Sequence, residues 1–479
     1  MWLTAATLLA ALALGGQTWR TSEADIALQL VCLPLLGCAI WRLPRRRFTG
    51  YARAACAIAV AMIALPVLQL IVLPAEIWTE LPGRAVVERG FTSIDAPLPP
   101  LPISLEPSIT RGVALSLLPA LAVFLSVLSL DFHARRRLVF LVIGFAFVSI
   151  LIGLAQIQSG ADEVVALRAT GHSAVGLFAN RNHLAALLYG AMPLTAACAV
   201  GWMLDRPQSG RRGAALFTLI YACLLLGDAM TRSRAGLALG CAATVACLAL
   251  AWSSSRRAGG VGPRGMLIGG AIAGFILVAN FALLGVMQRL ESEVSDDYRF
   301  TIYHYGVRAM ADFFPAGAGF GSFAAVYEMY EPVSAIRSVY ANNAHNDWLE
   351  LLIEGGAPAA AIAVAFVVWL TVGAAQSWSR RMRRGSALDA ALQRAATILL
   401  ALLLLHSIVD YPLRSTALMT LFALASGLLV HPLEGRRVAT PEDSKRRRSG
   451  RPHSARHSAG GDNDHASGER AAPSASPAG

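Results

Sequence analysis

Apolar runs of about 17–23 residues recur roughly every 35 residues along this chain, each long enough to cross a hydrocarbon core of ~30 Å as a helix. Within lipid no water is available to satisfy backbone N–H and C=O groups, so each run has to pair them internally. The expected fold class is therefore all-α, a polytopic membrane protein. Charged residues make up 15% of the chain, against ~25% in a soluble domain, and the mean hydropathy of +0.53 agrees.

About twelve spans are expected, near residues 1–16, 26–42, 54–74, 112–130, 138–158, 183–203, 213–230, 236–253, 265–287, 353–375, 395–411 and 415–432. The connections between them sort by charge. Arg42 with Arg45 to Arg47 and Arg53, then Arg135 to Arg137, Arg206 with Arg211 and Arg212, Arg256 with Arg257 and Arg264, and Arg380 to Arg394 fill short, arginine-dense connections. The alternate set, 75–111, 159–182, 231–235, 288–347 and 412–414, is much sparser in arginine. The positive-inside rule puts the dense set and both termini in the cytoplasm. The first span lacks a basic flank ahead of it, with Arg20 beyond it, so it is expected to be a span rather than a cleaved signal.

The net charge of +11 does not point to nucleic acid. Lys445 is the only lysine, and most arginines sit in the short loops just named. Residues 433–479 form a basic tail rich in Ser, Gly, Ala and Pro, too polar to build a core and expected to be disordered in the cytoplasm. Its Lys445 to Arg448 run suits anionic membrane lipids. All seven cysteines lie in apolar segments without metal-site spacing, so they are read as packing residues.

Chemistry is expected on the arginine-poor side, above all in the polar stretch 288–347. Arg232 and Arg234 occupy a very short turn between two apolar helices. They can bind an anion through planar, two-pronged donors or merely snorkel to the interface. The scarcity of arginine on this side favours the anion. In the long loop Tyr298, Arg299, Tyr303, His304, Tyr305 and Arg308 are spaced as a helix with an aromatic and basic face. The glycines of 315–323 look like a phosphate loop only superficially, since no strand precedes them, and are read as a tight turn with close packing. His345 lies between Asn343 and Asn346, two residues before Asp347. Asn180 to His183 and the trio His406, Asp410, Arg414 face the same side, the trio sharing one helical face only if the helix runs through Pro412.

Taken together, residues 176–183 (Gly-Leu-Phe-Ala-Asn-Arg-Asn-His), 233–236 (Ser-Arg-Ala-Gly), Arg299, 344–346 (Ala-His-Asn) and 406–414 (His-Ser-Ile-Val-Asp-Tyr-Pro-Leu-Arg) resemble the bacterial O-antigen ligase and polymerase family. The resemblance covers about residues 140–430. It implies N-terminal transmembrane helices over 1–137, a ligase-like membrane domain over 138–432 and a periplasmic loop, 288–347, above the bacterial inner membrane.

The resemblance also implies a glycosyltransferase without metal or other cofactor. The donor would be a glycan on undecaprenyl pyrophosphate, and the acceptor a glycan, lipid A core or another hydroxyl compound. Arg234 and Arg299 match the family's arginines and would stabilise the departing pyrophosphate. His345 matches its histidine and would act as general base or as a second leaving-group contact; free imidazole titrates near 6.5, which suits a base at neutral pH. Arg232 and Arg414 are further candidates for the anion, Asn180 and His183 for substrate binding, and Asp347 for substrate binding or, with Glu350, as rival base. A repeat-unit polymerase shares this chemistry. A transporter of lipid-linked sugars would carry charges midway through several helices, where this chain offers few, such as Asp228. A non-catalytic membrane scaffold is the remaining reading.

Overall fold

A computed structural model of the protein describes residues 1–17, 23–158, 174–206, 210–258, 294–336, 341–379 and 386–433, with the single positions 274 and 279. The expected span 265–287 has only those two positions described, and the basic tail beyond 433 lies outside the described residues. Every element below belongs to the compact unit Met1–Gly435.

The first helices are α1 (Trp2–Leu14), α2 (Glu23–Arg42) and α3 (Gly50–Leu68). A short segment follows with α4 (Ala75–Trp78), α5 (Ala85–Thr92) and the antiparallel pair β1 (Val72–Leu73) and β2 (Leu101–Pro102). Then come α6 (Pro107–Ser116), α7 (Leu118–Ser129), α8 (Phe132–Gln158), α9 (Arg181–Asp205), α10 (Gly210–Met230) and α11 (Arg234–Ala258). The polar stretch contributes α12 (Val294–Phe313) and α13 (Phe323–Glu328), and the chain closes with α14 (Asp347–Trp378), α15 (Ala387–His406) and α16 (Thr416–Leu429).

The all-α membrane architecture holds. Among the described residues 9 helical segments are long and apolar enough to cross a membrane, α6 and α7 counting as one. The first and last expected spans are α1 and α16, of 13 and 14 residues, short of the ~20 needed to cross upright.

At the centre stands α9, whose whole apolar window is buried. Its small residues let neighbours come close: α10, α11 and α15 pack on it, Gly201 has no room for a side chain against Leu388, and Gly236 at the start of α11 has none against Ala185. That contact brings the first turns of α9 and α11 together. Helix α15 is started by a capping box in which Ser386 and Asp389 exchange backbone and side-chain bonds.

The long polar stretch packs its own small core, Ile302, Phe313, Phe323 and Val326, onto Leu349 and Ile353 of α14. The glycine run is the expected tight turn. Gly317, Gly319 and Gly321 have φ of 80°, 107° and 85°, in the region that favours glycine. A Cβ on Gly319 would collide with Ser104, and one on Gly317 with the backbone of Glu354.

Residues 75–111, read from sequence as a plain connection, fold against this turn instead. Leu105 N–H donates to Ala318 O at 2.9 Å, and Ser104 N–H to Gln69 O at 2.9 Å. Arg84 is buried beneath, donating to Gly317 O at 3.2 Å with its guanidinium over the Phe313 ring; burial pushes its pKa down to about 10. Helices of 4 and 8 residues are too short to register as periodicity, so the sequence carried no signal for them.

Candidate functional site

His345 is held from both sides. Just ahead of it Ala344 N–H donates to Glu350 Oε2 at 2.9 Å, and just after it Asn346 caps α14, accepting from Trp348 and Leu349 N–H at 3.0 Å each. Between these anchors His345 adopts φ 50°, a conformation that costs a non-glycine residue about 1–3 kcal/mol. Its carbonyl accepts from the Tyr303 hydroxyl at 2.9 Å, which ties it to α12. The ring is 5.0 Å from that of Tyr411, edge-on, and its Nδ1 lies 3.3 Å from Asp410 Oδ1. The side chain remains 29% exposed.

Asp410 is fully buried. Helix α15 stops at His406, ahead of Pro412, and the chain turns so that Asp410 faces the start of α9. Asn182 Nδ2 donates to Asp410 Oδ2 at 2.5 Å, and His406 Nε2 approaches that oxygen to 3.8 Å. Burial alone would push the Asp410 carboxyl up. The hydrogen bond from His345 and the fields of His183, His406 and His345 outweigh it and hold the carboxyl well below the usual range.

The arginines gather beside this pair. In the turn before α11, Thr231 Oγ1 donates to Asp228 O at 2.7 Å and accepts from Ser233 N–H at 3.2 Å, while Ser233 Oγ accepts from Gly236 N–H at 2.9 Å. Thr231 and Ser233 are thereby turned inward, and Arg232 and Arg234 are exposed. Because α11 starts against the first turn of α9, both lie near Arg181. Arg181 is within electrostatic reach of Arg299, Arg234 and Arg232, and of Asp410. The charge of Arg299 also reaches Tyr303, His406 and Tyr411. Arg232, Arg234 and Arg299 are thus all near enough to act on Arg181. In sequence Arg181 stands inside the 180–183 motif, with nothing local to set it apart from its neighbours.

Four expected site residues are placed otherwise. Arg414 lies 3.4 Å from Asp347 Oδ1, 3.1 Å from Glu350 Oε1 and 2.7 Å from Glu354 Oε2. Burial would depress its pKa, but the three carboxylates raise it well above the ordinary value. This guanidinium, expected as a further anion contact, is engaged by three carboxylates of α14. Asp347 is equally committed: its Oδ2 accepts from Ser407 Oγ at 2.8 Å and Leu413 N–H at 3.2 Å. Glu350 and Glu354 hold the flanking loops, Glu354 Oε1 accepting from Gly321 N–H at 2.8 Å. The rival bases therefore serve as fixtures. Asn180 caps α9, accepting from Asn182 N–H at 2.8 Å. His183 is fully buried, its ring edge-on to Tyr411 at 5.3 Å, behind the site rather than open to a substrate.

Four arginines thus lie near a histidine–aspartate pair. Residues 214–364 match the model of the O-antigen ligase family. The O-antigen ligase match runs from α10 into α14 and so contains Arg232, Arg234, Arg299 and His345. Arg181, His406 and Asp410 lie outside it and reach the site through the fold. No curated protein matches the chain. Over these residues the chain is similar to O-antigen ligases, and its apolar helices are those of a multi-pass membrane protein.

Proposed function

We propose that this protein transfers a glycan from undecaprenyl pyrophosphate to an acceptor hydroxyl at the periplasmic face of the bacterial inner membrane. The observation that carries the reading is the convergence of Arg181, Arg232, Arg234 and Arg299 beside the His345–Asp410 pair. The arginine-dense connections lie at the opposite ends of the helices, which supports a periplasmic site.

The acceptor oxygen attacks the anomeric carbon from the face opposite the phosphate, so the configuration inverts. The bond from that carbon to the pyrophosphate oxygen breaks, and its electron pair leaves with the lipid pyrophosphate. The acceptor proton passes to His345 Nε2, because Nδ1 faces Asp410. The aspartate keeps the imidazole in that tautomer and stabilises the cation that forms. Charge grows on the leaving group as the bond stretches, and guanidinium groups fixed beside it in a partly dry site stabilise that growth more than they stabilise the ground state. Arg234 and Arg299 are the principal contacts, with Arg232 and Arg181 on the outer oxygens. Polymerisation of repeat units follows the same steps with a growing glycan as acceptor.

The test is transfer by purified Arg234→Ala, Arg299→Ala and His345→Ala variants, checked for normal abundance and melting. Each is expected to lose at least about 100-fold in kcat/KM, the scale of one lost transition-state contact. Two of the three retaining activity would overturn the assignment.

A further inference from the structure

Beneath His345 and Asp410 the interior holds two more polar side chains that the chemistry above does not use. His406, the last residue of α15, and Tyr189 of α9 are both fully buried. The Tyr189 hydroxyl lies 2.7 Å from His406 Nδ1. On its other side His406 Nε2 approaches Asp410 Oδ2 to 3.8 Å and has no hydrogen-bond partner among the described residues. Asn182 and Tyr189 are seven residues apart on α9 and so share one face. One helix thus reaches Asp410 directly through Asn182 and indirectly through Tyr189 and His406.

The direction of the Tyr189–His406 bond follows from what lies beyond it. Were the histidine to donate from Nδ1, its bare Nε2 lone pair would point at a buried carboxylate, two electron-rich groups facing each other with no water between. Were Tyr189 to donate, Nε2 carries the proton and points at Asp410 as a donor. In a buried site the second arrangement is strongly preferred. Asp410 Oδ2 then faces two donors, the Asn182 amide and the His406 N–H. Oδ1 is left to accept from His345 Nδ1, which leaves His345 Nε2 bare on the exposed side.

We infer that Tyr189 and His406 are positioning residues: through Asp410 they fix the tautomer of His345 that keeps Nε2 free to take a proton. The inference rests on the reading of His345 as the base, and its content is the order of donors, Tyr189 to His406 to Asp410, with His345 donating to Asp410 from the far side. The 3.8 Å approach is longer than a hydrogen bond, and such contacts commonly tighten when a substrate closes the site.

The experiment uses the full-length protein in lipid nanodiscs, with two readouts. The first is the histidine 15N spectrum, with His345 assigned by its loss in His345→Gln. The second is kcat and donor KM on an undecaprenyl-pyrophosphate-linked oligosaccharide. In the wild type, His345 should carry its proton on Nδ1. His406→Leu removes a donor that keeps Asp410 ionised. The carboxyl then takes a proton in part of the molecules and donates it to His345 Nδ1, which should mix the two His345 tautomers and lower kcat about tenfold with donor KM within twofold. Tyr189→Phe should act in the same direction but less. His406→Gln returns an N–H toward Asp410 and should restore kcat to within threefold of wild type.

The inference is overturned if wild-type His345 carries its proton on Nε2, or if His406→Leu leaves the tautomer unchanged. It is also overturned if His406→Gln is as impaired as His406→Leu, because the histidine would then be filling space. The spectrum needs no turnover. Absence of glycan transfer by the wild type would therefore defeat the functional reading, while the tautomers would still decide this one.

Discussion

Replacing Asp410 by asparagine changes one buried oxygen to an amide and little else in volume, so it isolates the role of the carboxylate. The lost interaction is the charge-assisted contact to His345 Nδ1 at 3.3 Å. Hydrogen bonds to charged groups contribute about 1.5–3 kcal/mol, and so long a contact belongs in the lower half of that range. At ~1.4 kcal/mol per factor of ten, the acceptor's loss lowers kcat by about 12–40-fold. An amide that turns its NH2 toward His345 would pull the imidazole into the opposite tautomer and extend the loss to about 100-fold. The assay is release of lipid pyrophosphate from the glycan donor at saturation. A kcat within threefold of wild type would refute the reasoning.

The same variant carries a pH signature. The folded-state pKa of Asp410 lies below its unfolded value. The stability it contributes is therefore fully present above the unfolded carboxylate pKa near 3.9 and is lost as pH falls through the lower, folded value. Melting temperatures of wild type and Asp410→Asn should differ across pH 5–8 and converge as the pH drops below about 4. A gap that widens with acid would mean that the carboxyl is not held ionised.

Other outcomes follow from the same geometry. Arg414→Ala leaves Asp347, Glu350 and Glu354 without their shared cation; breaking a buried ion pair costs about 3–5 kcal/mol, so the variant should melt many degrees lower, and unchanged melting with a raised donor KM would restore Arg414 to the anion site. Arg181→Ala should raise donor KM about 5–10-fold, the scale of one net hydrogen bond, with a smaller effect on kcat, and steady-state kinetics would show the split. On the proposed mechanism, in which guanidinium charge stabilises the leaving group, turnover should persist after dialysis against EDTA, as the same release assay would show.

Much of this was legible in the sequence, for identifiable reasons. Hydrophobic runs and arginine-dense connections report on single segments, and so gave the membrane architecture and gathered Arg232, Arg234, Arg299 and His345 on one side. What the sequence could not provide was pairing between distant segments. Asp410 meets His345 and Asn182 across 65 and 228 residues, and nothing local marks Asp410 as their partner. Arg414 looked like one more external arginine, although three carboxylates at 347, 350 and 354, spaced three and four apart along one helix face, were waiting for it. That spacing was the signal available. His183, a substrate-binding candidate at a helix start, is fully buried, because among the described candidate spans its helix is the most enclosed. The folded segment 75–111 was missed because its elements are shorter than the window in which periodicity can be read.

The most direct test of the central claim is to incubate the purified protein with an undecaprenyl-pyrophosphate-linked oligosaccharide and an acceptor, without nucleotide, and to follow lipid pyrophosphate and glycan length together. The account predicts stoichiometric release of lipid pyrophosphate as the glycan is transferred, a single product marking a ligase and a ladder a polymerase, with neither formed by His345→Ala. Movement of intact donor across proteoliposomes, with no release under any acceptor, would contradict it and point to transport.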